Sequence, residues 1–476
     1  MDFDRNYRML INGQLVEAAT SMDVINPANG KPFATCPRAS EADLDAAVSG
    51  AKAAFKTWKN TPIETRRAAL KQASAAMMAN ADALASLFTK EQGRPTAQAK
   101  EEIMGGAYWL ATVADQNLPV EVTEDTDDRR VEVHHTPLGV VCGIVPWNFP
   151  VTLACWKIAP ALLAGNTLVI KPSPFTPLCT LKMGELFQDI FPPGVFNVIT
   201  GGDELGPWMT AHPGFAKISF TGSTATGKRV METASKDLKR ITLELGGNDA
   251  AIVLPDVDVD KVAEQIFFGA FFNSAQICVA TKRLYVHADI YDKLRDRMHM
   301  IAQNTPVGDG ADQGNVFGPI QNKNQYDRVM NLMDDAKANG LTLLQGKDVP
   351  AEGYFIPLTI VDNPPESSRV VQEEAFGPIL PMMKFDDLDD VIDKANESEY
   401  GLAGAVWSAD VTKAAEVASK MDTGTVWINQ NLQMTPHTPF AGAKQSGMGV
   451  ENGEHGLLEF TQVKTVYIPK STANVA

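Results

Sequence analysis

A thiol beside a carboxylate is a nucleophile with a general base at hand, and the sequence holds one such pair of residue types. Cys278 lies in FFNSAQICVATKR, at the end of an apolar segment running from Ile266 to Phe272. Glu244 ends a strand-like run in LELGGN, where Gly246 and Gly247 permit close approach. A lone cysteine is more often a small core hydrophobe, and a glutamate at a strand end is commonly solvated, so the residue types alone leave the pairing open. In Pro146-Trp147-Asn148-Phe149-Pro150 two prolines hold a rigid turn whose one hydrogen-bonding side chain is Asn148. A fixed amide N–H there could stabilise an oxyanion, or merely satisfy the turn's own backbone. The run from Gly222 through Ser223 and Gly227 to Lys228 and Arg229 follows a strand and opens a helix, a place where backbone N–H groups attract phosphate. Arg229 stands where a phosphate-binding P-loop has a Ser or Thr, so a phosphotransferase is disfavoured, and a plain glycine turn remains open.

These residues must be carried by alternating helices and short apolar strands, the signature of α/β layers. The runs GVVCGIV, NTLVI, VFNVIT, AKISFTG and RITLELGG predict a doubly wound, dinucleotide-type sheet. A second α/β unit is expected after Leu245-Gly246-Gly247, with AAIVL, RLYVHA, GAVWS and GTVWIN as its strands. Thr61-Pro62 predicts the start of a long helix, with Thr61 as cap and Ala69, Leu70, Ala73, Ala76 and Met77 at helical spacing. The acidic stretch between Leu118 and Arg130, followed by RRVEVHH, predicts a projecting hairpin. The terminal VKTVYI reads as a strand that needs a partner outside the main sheets, and both the hairpin around Arg129–His135 and the strand Val463–Ile468 would present unpaired edges, so they are expected to pair with a neighbouring subunit.

Composition narrows the function. At 476 residues two or three domains are expected. A net charge of −16 repels phosphate backbones and anionic membranes, so no nucleic acid and no membrane is expected as partner. The start, MDFDRNYRML, lacks the pattern of a signal peptide, which makes cytoplasmic the expected location. Cys36, Cys142, Cys155, Cys179 and Cys278 show no CxxC spacing and the histidines no HExxH pair, so neither a disulfide framework nor a metal site is expected.

PWNFP, KPSPFTP, FTGST, LELGGN, the FFN…QxC segment and EEAFGPI occur in the order and spacing of the aldehyde dehydrogenase superfamily, which the chain resembles from NPANGKP to KQSGMG and VKTV. The resemblance implies two doubly wound α/β domains, cofactor-binding (1–117 and 138–245) and catalytic (246–440), plus a small β oligomerisation arm (118–137 and 457–476) of a homodimer or homotetramer. It implies Cys278 as nucleophile, Glu244 as deacylation base, and Asn148 with the Cys278 N–H as oxyanion hole. NAD or NADP would be the cofactor. Lys171 matches the lysine that contacts the adenosine ribose and is grouped with the catalytic residues. Gly222, Ser223 and Gly227 match the cofactor turn, and Glu374 and Phe376 the nicotinamide-ribose contacts, with Gln325 and Arg328 weaker ones. Ile144, Pro146, Trp147, Ser173, Pro174, Gly202, Gly206 and Leu245 complete the cofactor set. The aldehyde tunnel would be lined by Phe149, Leu153, Trp156, Phe272, Ile277, Met434 and Phe440, with His437 and Gln433 the only polar candidates nearby. Lys157 and Glu451 resemble a proton-relay pair, or else form a surface salt bridge.

The implied reaction is oxidation of an uncharged aromatic or medium-chain aldehyde to its acid through a Cys278 thioester hydrolysed by Glu244-activated water. Two positions depart from relatives. Pro174 stands where many have a glutamate, which predicts use of both NAD and NADP with NAD modestly favoured. Ile277 places no second cysteine before the nucleophile. The alternatives are a semialdehyde dehydrogenase, a CoA-acylating relative, which usually lacks a base such as Glu244, and a non-enzymatic scaffold on the same fold.

Overall fold

The short apolar runs are strands in the computed structural model, which describes residues 2–471. Val140–Ile144, Thr167–Lys171 and Lys217–Thr221 are buried along their whole length, as strands covered on both faces must be. The first sheet has eight strands, in the order Gln14–Val16, Met9–Ile11, Phe196–Val198, Thr167–Lys171, Val140–Ile144, Lys217–Thr221, Arg240–Glu244 and Gly447–Met448. Its five central strands are parallel. Ile144 pairs with Lys171 and Thr221 with Glu244, so the carboxyl ends of these strands lie along one edge. That edge is where open α/β sheets bind ligands.

Residues 245–249 cross to the second, seven-stranded sheet, in the order Thr342–Gln345, Thr359–Asp362, Ile379–Phe385, Arg283–His287, Ala250–Val253, Ala403–Trp407 and Thr425–Ile428. Only its first pair is antiparallel. Alternation along these strands splits the core. Ile252, Tyr285, Met383 and Val406 face a separate cluster, while Ala251, Val253, Leu284 and Met382 join the large core shared with the first sheet.

Two expectations need correction. The long helix is Ile63–Ala79 with Pro62 at its cap position, and the Thr61 hydroxyl donates back to the Thr57 carbonyl (3.4 Å) instead of capping. The hairpin Glu121–Asp125/Arg129–Pro137 and the terminal strand do not both await outside partners. Thr461–Pro469 pairs antiparallel along the whole of Arg129–Pro137, giving a three-stranded sheet within one chain. Only its outer strands, Glu121–Asp125 and Thr461–Pro469, keep free edges, and Val120, Val122, Val463 and Tyr467 are exposed there. Residues 472–476 of the predicted arm lie outside the described residues. Among the described residues no helix is long and apolar enough to cross a membrane.

Candidate active site

Cys36, Cys142, Cys155 and Cys179 are buried, and Cys278 alone of the cysteines is partly exposed. It lies where two cavities meet. Asn148, Glu244 and Cys278 line both of them.

The turn before Cys278 stores strain. Asn273, Ser274 and Ala275 all have left-handed backbone, with φ of 53°, 53° and 61°. Each such residue costs about 1–3 kcal/mol and persists only where its surroundings over-determine it. Here the Asn273 side-chain oxygen accepts from Arg94 Nε (3.1 Å) and its amide donates to the Asn148 carbonyl (3.2 Å). Ser274 Oγ donates to the Gly318 carbonyl (2.7 Å), and the Gln276 side chain bonds back to the Asn273 carbonyl and out to the Gln321 N–H. Arg94 is the hub. It is paired with Glu102 (2.6 Å) where neither side chain is more than 2% exposed, donates to the Asn148 carbonyl (2.7 Å) and stacks on Phe149. Glu102 in turn accepts the Val151 and Thr152 N–H groups that open helix Pro150–Leu163. One buried ion pair therefore joins the PWNFP turn to the cysteine turn.

Asn148 is buried, and its side-chain amide donates to the Gln276 carbonyl (3.1 Å). An amide carries two N–H groups, so one anchor leaves the other for a ligand. The Cys278 N–H has no hydrogen-bond partner among the described residues. Glu244 ends its strand, and neither carboxylate oxygen has a hydrogen-bond partner among the described residues. Burial pushes it up to about 8, opposed by the Cys278 thiol and the Lys157 ammonium. Burial and the Glu244 charge likewise raise the Cys278 thiol well above its ordinary value, with Lys282 opposing. Gly246 and Gly247 do allow the close approach expected of them: a Cβ on Gly246 would fall 2.5 Å from a Glu374 oxygen, and one on Gly247 2.8 Å from the Cys278 carbonyl.

Behind Glu244 the sheet face is polar, although a doubly covered strand should be apolar. Lys217, Ser219 and Thr221 alternate with Ile218 and Phe220, and Thr242 and Glu244 lie opposite Ser219 and Thr221. Lys157 Nζ bridges Thr221 Oγ1 (2.9 Å) and Glu451 (3.1 Å), both partners of the ion pair being fully or almost fully buried. The surface salt bridge is therefore ruled out. Ser219 reaches the same Glu451 oxygen (3.4 Å), and Lys217 bonds Thr242 (2.5 Å) and pairs with Glu459 (3.6 Å), whose side chain is 31% exposed.

The first cavity, about 240 Å³, is lined by all seven predicted tunnel residues: Phe149, Leu153, Trp156, Phe272, Ile277, Met434 and Phe440. Trp109, Thr152 and Leu432 also line it and were missed, because their segments carry no motif. Trp109 stacks on Trp156 at 5.6 Å, and Phe440 meets Trp156 edge-on. Gln433 lines an outer recess that shares Phe272 and Leu432 with this cavity; His437 is exposed and lines neither.

The second cavity, about 160 Å³, is lined by the predicted Trp147, Gly222, Ser223, Leu245, Gln325, Arg328, Glu374 and Phe376. Ser223 caps helix Thr224–Ser235, whose first turn faces this edge, and Trp147 and Phe376 meet edge-on at 5.4 Å. Glu374 accepts the Gly247 N–H (3.0 Å). A carboxylate, a helix start and two aromatic walls suit a ribose, a phosphate and a flat ring, so the residues present fit a dinucleotide. Ile144 and Lys171 end strands on the same edge, and Lys171 is buried, which pushes it down to about 8 against the opposing Asp203 charge. Lys171 does not line the cavity that holds Cys278. Pro146 precedes Trp147 in the turn, and Ser173 is buried beyond Lys171. Gly227 packs on Leu245, while Gly202 and Gly206 flank the start of helix Leu205–Ala211. Pro174 opens on a different recess, with Met22, Asn322 and Tyr354.

Comparison with known proteins agrees with this geometry. The aldehyde dehydrogenase family profile matches residues 15–466. Aldehyde dehydrogenase LUC3 of Fusarium sp is 39% identical over 99% of this chain and its own full length. An aldehyde dehydrogenase from Bacillus cereus, solved as an NAD⁺ complex, superposes with a TM-score of 0.96 at 33% identity, covering 98% of each chain. Betaine aldehyde dehydrogenase from Staphylococcus aureus, also with NAD⁺, gives 0.93 at 34% identity over 97% of this chain and 94% of its own. The chain belongs to the aldehyde dehydrogenase family.

Proposed function

We propose that this protein oxidises an uncharged aromatic or medium-chain aldehyde to the carboxylic acid by covalent catalysis on Cys278, with NAD or NADP as hydride acceptor. The observation that carries the reading is the meeting of an apolar and a polar cavity at Cys278, Glu244 and Asn148. Cys278 Sγ attacks the carbonyl carbon of an aldehyde held in the apolar cavity. The oxygen becomes anionic, and the free N–H of Asn148 with the Cys278 N–H receives it. A bound nicotinamide ring supplies the hydride acceptor, and its positive charge favours the thiolate. Glu244, once ionised, takes a proton from water, and the hydroxide displaces sulfur from the acyl carbon, which releases the acid and frees the thiolate. Lys157 and Glu451 pass that proton along the polar sheet face. Glu374, Phe376, Trp147, Ser223 and Lys171 would hold the dinucleotide. Residues 1–117 with 138–245 serve as the cofactor-binding domain and 246–440 as the catalytic one, and the arm's free edges serve a homo-oligomer.

The apolar lining of the first cavity supports this substrate class. A semialdehyde would bury its carboxylate there without a cation, at a cost of several kcal/mol. We therefore expect kcat/KM for benzaldehyde and hexanal to exceed that for succinate semialdehyde by roughly 10²-fold. The measurement is NADH absorbance across an aldehyde panel that includes betaine aldehyde, a cationic probe of the aromatic lining. Faster turnover of either charged aldehyde would overturn this substrate reading, and acyl-CoA in place of acid would overturn the hydrolytic one.

The cofactor test uses Pro174. Proline offers neither an acceptor for ribose hydroxyls nor a charge against a 2′-phosphate. Both NAD and NADP should therefore support turnover, with Asp203 near Lys171 giving NAD a modest advantage. A charged hydrogen bond is worth about 1.5–3 kcal/mol, so Pro174→Glu should shift the NAD/NADP ratio of kcat/KM toward NAD by roughly tenfold or more. Complete NAD selectivity in the unmodified enzyme would assign discrimination to another residue.

A further inference from the structure

Lys282 follows the cysteine turn and precedes strand Arg283–His287, and its side chain is only 5% exposed. Its ammonium donates to the carbonyl of Cys278 itself (2.5 Å) and reaches the Ala280 carbonyl (3.4 Å). On its other side it pairs with Glu374 Oε1 (3.6 Å), the oxygen that accepts the Gly247 N–H. Its own backbone N–H is tied to the Asp249 carbonyl (2.9 Å). A long flexible side chain is thus fixed at both ends in a place where a buried ammonium is costly unless it has work to do.

Of the other charged groups around Cys278 one is a cation, Arg328, which lines the second cavity and acts on Glu374, and three are acidic. Glu244 lies across from the thiol, and Asp249 and Glu374 come from the crossing segment and from the EEAFGPI loop. Lys282 is the cation that opposes the burial of Cys278, Asp249 and Glu374 alike, while Lys157 acts on Glu244 from the far side. We propose that Lys282 is a positioning residue for Cys278: held between the nucleophile's carbonyl and Glu374, its charge favours the thiolate and ties the cysteine turn to the carboxylate that would hold the nicotinamide ribose. Engagement of Glu374 by a ribose then loosens its hold on Lys282 and leaves more of that charge for the thiolate, so cofactor binding and nucleophile activation are linked through one side chain.

This inference rests on Cys278 as nucleophile, and its test reads labelling instead of turnover, so the two can fail separately. The full-length enzyme is titrated with iodoacetamide across pH, with and without NAD⁺, and alkylation of the Cys278 peptide is followed by mass spectrometry. Lys282→Met, which keeps length and removes charge, should move the inflection up by about one unit and slow labelling near neutrality about tenfold. Lys282→Arg should restore most of the rate. Should Lys282→Met fail to fold, Glu374→Gln supplies the complementary arm: with its partner carboxylate gone, Lys282 acts on the thiol alone and the inflection should fall. An unchanged profile in Lys282→Met, equal slowing in the Met and Arg variants, or a Glu374→Gln inflection that stays or rises would each overturn the role of Lys282. None of these outcomes touches the assignment of Cys278, which is judged by loss of turnover in Cys278→Ala.

Discussion

Cys278→Ala is expected to abolish aldehyde oxidation while dinucleotide binding survives. The alanine removes only the sulfur from a turn held by Arg94, Gln92, Ser274 and Gln321, none of which bonds to the thiol. The second cavity therefore keeps its walls. Without a covalent adduct the aldehyde carbon has no route to the tetrahedral, anionic state from which hydride can leave, so the loss should reach at least about 10⁴-fold in kcat. Cofactor affinity by fluorescence titration and kcat by NADH absorbance separate the two effects. Residual turnover near that of the unmodified enzyme would move the chemistry to another group.

Glu244→Gln should have the second largest effect, and of a different kind. The first half of the reaction does not need the base, so about one equivalent of NADH should appear, followed by a steady rate lower by roughly 10²–10⁴-fold. The same substitution should make the protein more stable. Burial raises Glu244 from an ordinary 4.5 to about 8, so the folded protein prefers the neutral acid. A group raised in this way contributes its full stability below its unfolded value, and that contribution is lost as pH rises through its folded value. The penalty accumulates at about 1.4 kcal/mol per unit between those limits. Glutamine has the same shape and never ionises. The Tm of Glu244→Gln should thus match the unmodified enzyme at the acid end of this window and exceed it increasingly toward alkaline pH. A constant Tm difference across pH would show that burial does not penalise the ionised form of Glu244.

What the sequence revealed and what it hid divide by how local the cause is. The PWNFP turn and LELGG are recognisable because each needs special backbone within a few residues: prolines for rigidity, or glycines where Glu374 and the Cys278 carbonyl leave no room for a Cβ, whereas the left-handed turn before Cys278 falls on Asn273, Ser274 and Ala275 and has no such mark. The apolar runs are recognisable because doubly covered strands must be apolar. Arg94 and Glu102 carry no such mark. Arg94 reaches Asn148 and Asn273 across long stretches of chain, and nothing local distinguishes a buried arginine from a solvated one. The pairing of Thr461–Pro469 with Arg129–Pro137 joins two segments that mix polar and apolar residues, and such a pattern does not name a partner. KISFT and RITLE hold a signal that motifs pass over. They alternate polar with apolar residues beside Val140–Ile144, which is apolar on both faces, and that contrast marks a buried polar route.

Quenched-flow mass spectrometry of Glu244→Gln tests the covalent cycle most directly. The variant is mixed with benzaldehyde and NAD⁺, quenched in acid after the NADH burst, digested and weighed. The peptide carrying Cys278 should gain the mass of one benzoyl group in proportion to the NADH formed. NADH formed without that gain, or a benzoyl group on any other residue, would contradict the covalent cycle.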